Sequence, residues 1–423
     1  MNTSLNLAAG YAELCQRISS NVHQPPLAVQ TNGAAGDDLR LNALLAQGQK
    51  YGISVQQEQM MSTGNGKNDN NVLRLGWDPG YAANKLALIR AGQLETFSLP
   101  SSVGEANRSK KDGLSLGGVV RPQHRRRRPY QVAFDDLEFL VGPGVADYTE
   151  PIDRMDFDRF TDSPELRATF YAGVYRLING GPHRLAVVVA LPVEVVQDKG
   201  EAARVERGLR DWLVGQHSFS VDGVDTVITV ETVRARVPQP VATWFDWGLN
   251  LEGQWPDSGT ATAPTLVIDQ GFNTLDVLVV EKGRISERFS EGDTLGMRRA
   301  AERLIRTVKN KYGVTLELHT AAELVQTVVN GQPAEIHVNG QLTDVRAETR
   351  QALKALAAEV HNFLDRTAGK HAAAYNVLLT GGGAIALRET LLRQFPSATV
   401  MPEPVLANAR GLAKLANRPG FLE

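Results

Sequence analysis

Two short segments of this 423-residue chain are built alike. Leu75-Gly76-Trp77-Asp78-Pro79-Gly80 and Val267-Ile268-Asp269-Gln270-Gly271 each run from apolar residues into Asp-x-Gly, and a second apolar stretch follows each. The pattern predicts two β-hairpins, each with a carboxylate and a glycine at its tight turn. One such turn is ordinary. Two, with their aspartates 191 positions apart, predict two similar domains that each present a turn to a shared cleft.

Phosphate is the group these turns suit. Glycine at Gly80 and Gly271 lets backbone N–H groups come close to a phosphate. Asn84 in the first turn, and Asn273 or Thr274 in the second, add hydrogen-bond donors, and Lys85 adds positive charge. Asp78 and Asp269 repel phosphate, but they can hold Mg²⁺ through its waters, since Mg²⁺ keeps several waters and takes few carboxylates. A third element is Leu378-Leu379-Thr380-Gly381-Gly382-Gly383-Ala384. An apolar strand that runs into three glycines and then a helix permits close approach by a flat base or an α-phosphate. No G-x-x-x-x-G-K-[ST] segment is present, so the phosphate chemistry is not that of a P-loop.

Bulk properties bound the rest. Hydrophobic residues make up 42% and charged residues 22%, as in an ordinary soluble globular protein, and the length allows two domains with their own cores. A net charge of -2 gives no ground for general polyanion binding. The single cysteine, Cys15, excludes an internal disulfide and a cysteine-rich metal site. No apolar run approaches the roughly 18 residues of a membrane helix, and no basic-then-apolar leader opens the chain. A cytoplasmic protein with no membrane partner is expected.

The elements that must position the turns alternate between strand and helix. Residues 1–71 read as an N-terminal extension, flexible or partner-binding, with short helices near 5–18 and 38–49 and a linker over 62–71. Hairpins are expected over 72–89 and 266–280, buried strands over 185–191 and 375–379, and a further strand over 224–230. Residues 100–130 read as loop. Ser163-Pro164 opens a helix as N-cap and first helical residue, and Gly180-Gly181 closes it. Further helices are expected around 205–213, 294–312, 344–366 and 405–415. The class is α/β with mixed sheets.

These motifs together resemble the actin-like ATPase superfamily. Asp78-Pro79-Gly80 with Lys85 is similar to its phosphate-1 motif. Asp269-Gln270-Gly271-Phe272-Asn273-Thr274-Leu275-Asp276 resembles the phosphate-2 motif D-x-G-x-x-T-x-D. Thr380 to Ala384 looks like the adenosine motif, and Ala190-Leu191-Pro192-Val193 the connecting loop. Val237-Pro238-Gln239-Pro240 looks like the entry to the interdomain helix, where the superfamily places a water-positioning Gln or Glu. Ala407-Asn408-Ala409-Arg410-Gly411 resembles the C-terminal helix of ParM/StbA plasmid-segregation actins and archaeal relatives. Phe272, where many members have glycine, points toward that branch. Pro79 departs from the usual pattern and removes one backbone donor.

The resemblance implies an actin-like, ribonuclease H-like duplicated fold, two domains around a nucleotide cleft. The implied boundaries are 72–243 for domain I, 244–402 for domain II and 403–423 for a C-terminal helix returning to domain I. It implies ATP or GTP with Mg²⁺, with Asp78, Gly80, Asn84, Lys85, Gly271, Phe272, Asn273, Thr274, Gly381, Gly382 and Gly383 around the nucleotide. Asp78 and Asp269 would hold Mg²⁺ through water, and Gln239 and Asp269 would serve hydrolysis. The implied activity is an ATPase that polymerises into a homopolymer filament, with a role in plasmid or DNA segregation and a DNA-bound adaptor as further partner.

A metabolic small-molecule kinase of the same fold is the alternative. A kinase needs a base for the acceptor hydroxyl, and Gln239 can only orient water. A chaperone-type ATPase is the third reading, and the end of the sequence at Glu423 counts against the substrate domain it needs. Arg125, Arg126, Arg127 and Arg128, near Lys110-Lys111, read as a solvated loop, with an inter-subunit or nucleic-acid contact as sharper alternatives. Arg298, Arg299, Arg303, Arg306, Lys309 and Lys311 read as a solvated helix face, where the resemblance brings Arg298 or Arg299 toward the ligand. The histidines, His319, His337, His361 and His371 among them, show no metal-ligand spacing.

Overall fold

Both Asp-x-Gly segments form hairpins. In this computed structural model, β1 (Val72–Pro79) pairs antiparallel with β2 (Ala83–Arg90), so that Asp78 faces Lys85 across the ladder. The structure describes residues 72–106, 128–152, 156–161, 163–179, 183–286, 290–369 and 372–422. The extension over 1–71 with its two expected helices, Lys110-Lys111, Arg125 to Arg127, Gly180-Gly181 and His371 lie outside them.

Seven more strands join the first hairpin: β3 (Gln93–Pro100), β4 (Val103–Glu105), β5 (Tyr130–Phe134), β6 (Leu137–Val141), β7 (His183–Leu191), β8 (Gly215–Val221) and β9 (Val224–Pro238). Their order is β3-β2-β1-β7-β9-β8-β5-β6-β4. β7 lies parallel between β1 and β9. Its run Leu185 to Leu191 is wholly buried, as a strand covered on both faces must be. The Pro164–Ile178 helix covers one face with Leu166, Phe170, Val174 and Leu177. Ser163 caps it, its side chain accepting from the Leu166 N–H. The C-cap is Asn179 in the left-handed region, at φ 59°, ahead of the glycines expected to end the helix.

The second hairpin is β10 (Thr265–Gln270) with β11 (Leu275–Glu281). It belongs to a separate sheet with β12 (Arg284–Ile285), β13 (Glu291–Asp293), and, after the two-stranded ribbon of β14 (Glu335–Val338) and β15 (Gln341–Asp344), β16 (Asn376–Thr380) and β17 (Thr399–Val400). β16 is parallel to β10, so Thr380 at its end comes level with Asp269. The helices Arg298–Tyr312, Leu318–Val329 and Arg346–Thr367 bury Leu304, Val308, Leu324, Leu356, Val360 and Phe363 in this half's own core.

Two helices join the halves. Gln239–Gly248 leaves the end of β9 and runs to the second half. Ala407–Asn417 returns from the second half and packs on β1 and on the first helix. The close approach needs glycine. A Cβ on Gly411 would sit 1.7 Å from the Ala242 carbonyl oxygen, and one on Gly76 would sit 2.5 Å from the Ala409 oxygen. Segments missed from the sequence include strands toward the two ends of the first sheet. β3, β5 and β6 mix buried and exposed positions, and β4 falls inside the span read as loop.

Candidate functional site

Asp78 is fully buried at the end of β1 and both its oxygens are engaged. Lys85 Nζ meets Oδ2 at 2.8 Å, and Gln239 Nε2 donates to Oδ1 at 2.9 Å. The first contact follows from the hairpin register, the second from the linking helix beginning at the mouth of the sheet. The Gly80 N–H donates to the Asp78 carbonyl, and a Cβ on Gly80 would lie 2.7 Å from Lys85 Nζ. Asn84 is not in this turn. It sits in β2, where its Oδ1 accepts from Trp77 Nε1 at 2.5 Å and its Nδ2 donates to the Thr169 carbonyl at 2.8 Å. Both ends of the amide are engaged in the core, which turns it toward Trp77 and Thr169.

In the second turn the Gly271 N–H donates to the Thr274 carbonyl at 2.9 Å. The carbonyls of Gly271, Phe272 and Asn273 accept from the amides of Met297, Arg298 and Gly296, at the start of the Arg298–Tyr312 helix. With its carbonyls turned to that helix, the loop leaves the Phe272 and Asn273 N–H groups without a partner among the described residues. Gly296 is what permits the contact, since a Cβ there would meet the Phe272 oxygen at 2.2 Å. Successive free N–H groups form a concavity suited to an anion.

Thr274 points away from that concavity. Its Oγ1 donates to Asp276 Oδ2 at 2.7 Å, and Asp276 Oδ1 is buried with no hydrogen-bond partner among the described residues. Burial pushes the Asp276 carboxyl up to about 7, with Asp269 and Glu194 adding repulsion against the Thr274 hydrogen bond. Asp269 is 5% exposed and accepts at Oδ2 from Asn408 Nδ2 at 2.9 Å. Burial pushes its carboxyl up to about 6; the Asn408 hydrogen bond and Lys85 oppose this, and the charge of Asp78 adds to it. The two hairpin aspartates therefore feel each other across the cleft.

The three glycines differ in function. Gly381 has φ +84°, and a Cβ there would lie 2.3 Å from the Gln270 carbonyl. A Cβ on Gly383 would lie 2.1 Å from Gln270 Cγ. These two let the strand end pack on β10. Only Gly382 has open space at its α-carbon, the nearest atom to a Cβ being Val405 Cγ2 at 3.9 Å.

Buried polar contacts tie the two halves together beneath the site. Thr243 Oγ1 lies 2.7 Å from Asn408 Oδ1 and 3.1 Å from Thr380 Oγ1. Asp246 takes Arg410 at 3.0 and 2.6 Å, with Lys414 Nζ at 3.1 Å from its other oxygen. Arg410 and Asp246 are both buried.

Two family models match the chain. That of actin-like proteins, N-terminal domain, covers residues 76–241. That of the archaeal actin homologue MreB-like, C-terminal, covers residues 267–393. The chain is an actin-like protein. A comparison with curated protein sequences gave no significant match. Among solved structures, a 15-stranded ParM filament from Clostridium botulinum is 19% identical with TM-score 0.63, over 82% of this chain and 99% of that one. The archaeal actin homologue Ta0583 in complex with ADP is 15% identical with TM-score 0.58, over 81% and 98%. Apo psk41 ParM is 18% identical with TM-score 0.58, over 82% and 97%. At these identities the likeness is one of fold.

The structure brings Asp78, Lys85 and Gln239 together through hydrogen bonds, and Asp269, Gly271 and Gly381 to Gly383 together at the end of β10. Asn84 and the Thr274 hydroxyl are directed elsewhere. Arg298 pairs with Glu302 at 2.9 Å, and Arg299 and Arg303 both pair with Glu359, so this basic face is tied down within its own half. Asn408, Thr243, Asp276 and Glu194 were not singled out as site residues from the sequence. Asp276 carried a signal, the last Asp of D-x-G-x-x-T-x-D. Asn408 lay within the C-terminal helix motif Ala407-Asn408-Ala409-Arg410-Gly411, and Thr243 carried none, because its partners are set by helix packing.

Proposed function

We propose that the chain is an actin-like ATPase that binds ATP with Mg²⁺ in the interdomain cleft, assembles into filaments and hydrolyses the nucleotide. The observation that carries this reading is the convergence of two hairpin aspartates from different halves, with Gln239 on one and Asn408 on the other. Free amides at Phe272 and Asn273 suit phosphate oxygens, and the open face of Gly382 suits a base or ribose.

Mg²⁺ fits as a hydrated ion. Among the described residues no three metal-ligating side chains converge. Asp78 has both oxygens taken, so it would meet the ion through hydrogen bonds to metal-bound water, and Asp269, with one oxygen taken, would face the ion or its water with the other. When bound, the ion supplies neutralisation of phosphate charge. The protein's own part is positioning. The turns hold the phosphates, Lys85 balances charge, and Gln239 stands where an amide aligns an attacking water without removing its proton.

Filament formation is supported by the ParM filament structure of the same fold, and nucleotide binding by the ADP complex of the archaeal homologue. Segregation of a plasmid or other DNA in the cytoplasm, through a DNA-bound adaptor, is the cellular role we infer. No helix among the described residues is long and apolar enough to cross a membrane. Sedimentation with ATP and Mg²⁺ should pellet far more protein than sedimentation without nucleotide. A chain that stays monomeric under every nucleotide and instead phosphorylates a small acceptor would be the kinase of the same fold.

A further inference from the structure

Arg159 is a buried cation with no ion-pair partner among the described residues. It is 8% exposed, at the end of the short 3-10 turn Phe157–Phe160. No carboxylate among the described residues lies within ion-pairing distance of its guanidinium. The other deeply buried cation of the site region, Arg410, is held by Asp246, and the half-buried Lys85 is held by Asp78. Arg159 instead lies over two rings, 4.9 Å from the centroid of Tyr81 and 5.4 Å from that of Phe160.

Tyr81 places this cation. It follows Gly80 in the first Asp-x-Gly turn, the turn proposed above to hold phosphate. A guanidinium seated on a ring face keeps its N–H donors in its own plane, free at their edges for a planar or tetrahedral oxyanion. The Tyr81 hydroxyl is itself buried without a hydrogen bond among the described residues, so the ring is held by packing and offers Arg159 a fixed platform. Asp156, Glu165 and Asp78 act on Arg159 only at a distance. A buried guanidinium that none of the described carboxylates pairs is costly for the empty protein, and a polyphosphate arriving at the neighbouring turn would supply counter-charge.

We propose that Arg159 binds the terminal phosphate of a nucleoside triphosphate and so makes the cleft prefer triphosphate over diphosphate. This rests on the nucleotide-binding reading above. Two consequences separate it from a packing role. Removing the charge while keeping the bulk should relieve the empty protein, and it should weaken one nucleotide more than the other.

The test uses the full chain with Arg159→Met and Arg159→Lys. Affinities for Mg·ADP and for a non-hydrolysable Mg·ATP analogue are measured by calorimetry below the assembly concentration, and apo melting temperatures by calorimetric scanning. Arg159→Met is expected to lose about tenfold or more in triphosphate affinity, with ADP affinity within about threefold of wild type and the apo melting temperature equal or higher. Arg159→Lys should recover part of the triphosphate preference. An unchanged ratio of triphosphate to diphosphate affinity in Arg159→Met overturns the proposal while leaving the nucleotide site standing. A wild-type chain that binds neither nucleotide overturns both.

Discussion

Asn408 donates a 2.9 Å hydrogen bond to Asp269, reaching from the C-terminal helix of one half to the strand end of the other across 139 residues. The same amide's oxygen lies 2.7 Å from Thr243 on the linking helix. One side chain thus joins both connecting helices to the carboxylate at the second turn. The Asp269 environment therefore depends on how the two connecting helices sit.

Asn408→Ala should therefore act on both stability and titration. Loss of a buried hydrogen bond to a carboxylate costs about 1.5–3 kcal/mol. The bond also opposes the burial that pushes Asp269 up to about 6. Without it the carboxylate ionises only at higher pH, so the midpoint of Mg²⁺-dependent nucleotide binding should move to higher pH. Binding titrations at several pH values check this. A midpoint equal to wild type would separate Asn408 from Asp269 in function.

The pH response of the empty protein follows from Asp276 and Asp269. Both carboxyls are raised from 3.8 by burial, to about 7 and about 6. Between those limits the folded protein holds protons that the unfolded chain has released. The stability this contributes is full below about pH 4 and is lost as pH rises toward 7, at up to about 1.4 kcal/mol per pH unit for each group while it titrates. Unfolding of the apo protein between pH 5 and pH 8 should show stability falling over that interval. Asp276→Asn, a neutral mimic of the protonated acid, should flatten the slope. A slope equal to that of the wild type would assign the dependence elsewhere.

How much of this was legible in the sequence differs by element. The hairpins, the parallel β7, the long domain II helix and the glycine-ended strand were readable because each depends on local pattern: apolar runs, Asp-x-Gly, a 3.6-residue stripe. The strands β3, β5 and β6 were not, since half-exposed strands bury few side chains and look like loop. Asn84 misled for a related reason. Its place beside the turn suggests phosphate, but its side chain points to the core face, where Trp77 and Thr169 capture it. The alternation of a strand decides that orientation, and the register was not fixed by the motif.

The glycines offer a sharp contrast. Gly382→Ala should fold with near-wild-type stability, because a Cβ there meets nothing nearer than 3.9 Å. Its added methyl should instead reduce nucleotide affinity by occupying the open face. Gly381→Ala forces a side chain at φ +84° into a backbone oxygen at 2.3 Å, which should destabilise the fold by about 1–3 kcal/mol or more. Thermal unfolding and nucleotide titration of both variants distinguish them. A stable Gly382→Ala variant with unchanged affinity would remove the base from this position.

Asp246 and Arg410 hold the two connecting helices together in a buried ion pair. Asp246→Ala leaves Arg410 buried with only the carbonyls of Pro402 and Glu403, and Lys414 loses one partner. A loss of about 3–5 kcal/mol is expected, since breaking a buried pair leaves an uncompensated charge. Replacing both partners, as Asp246→Leu with Arg410→Met, should recover much of that loss. Denaturant unfolding of the single and double variants measures it, and additive losses in the double variant would contradict the pairing.

Gln239 is the residue through which hydrolysis is best tested. It is the first residue of the linking helix, but Pro238 is the N-cap and no side chain caps the turn. Capping is therefore not its role. Its Nε2 is spent on Asp78, which fixes the amide plane and leaves the oxygen to accept from a water. An amide so fixed orients water without taking its proton. Ground-state binding depends on the turns and glycines, so Gln239→Ala should bind ATP within about threefold of wild type, while the chemical step slows about ten- to hundredfold. Filaments assembled from this variant should then persist longer, because their nucleotide stays intact. Single-turnover hydrolysis in preassembled filaments reads the step directly. If the Ala variant turned over at the wild-type rate, Gln239 would be a strut for Asp78 and nothing more, and the water would have to be oriented from another wall of the cleft.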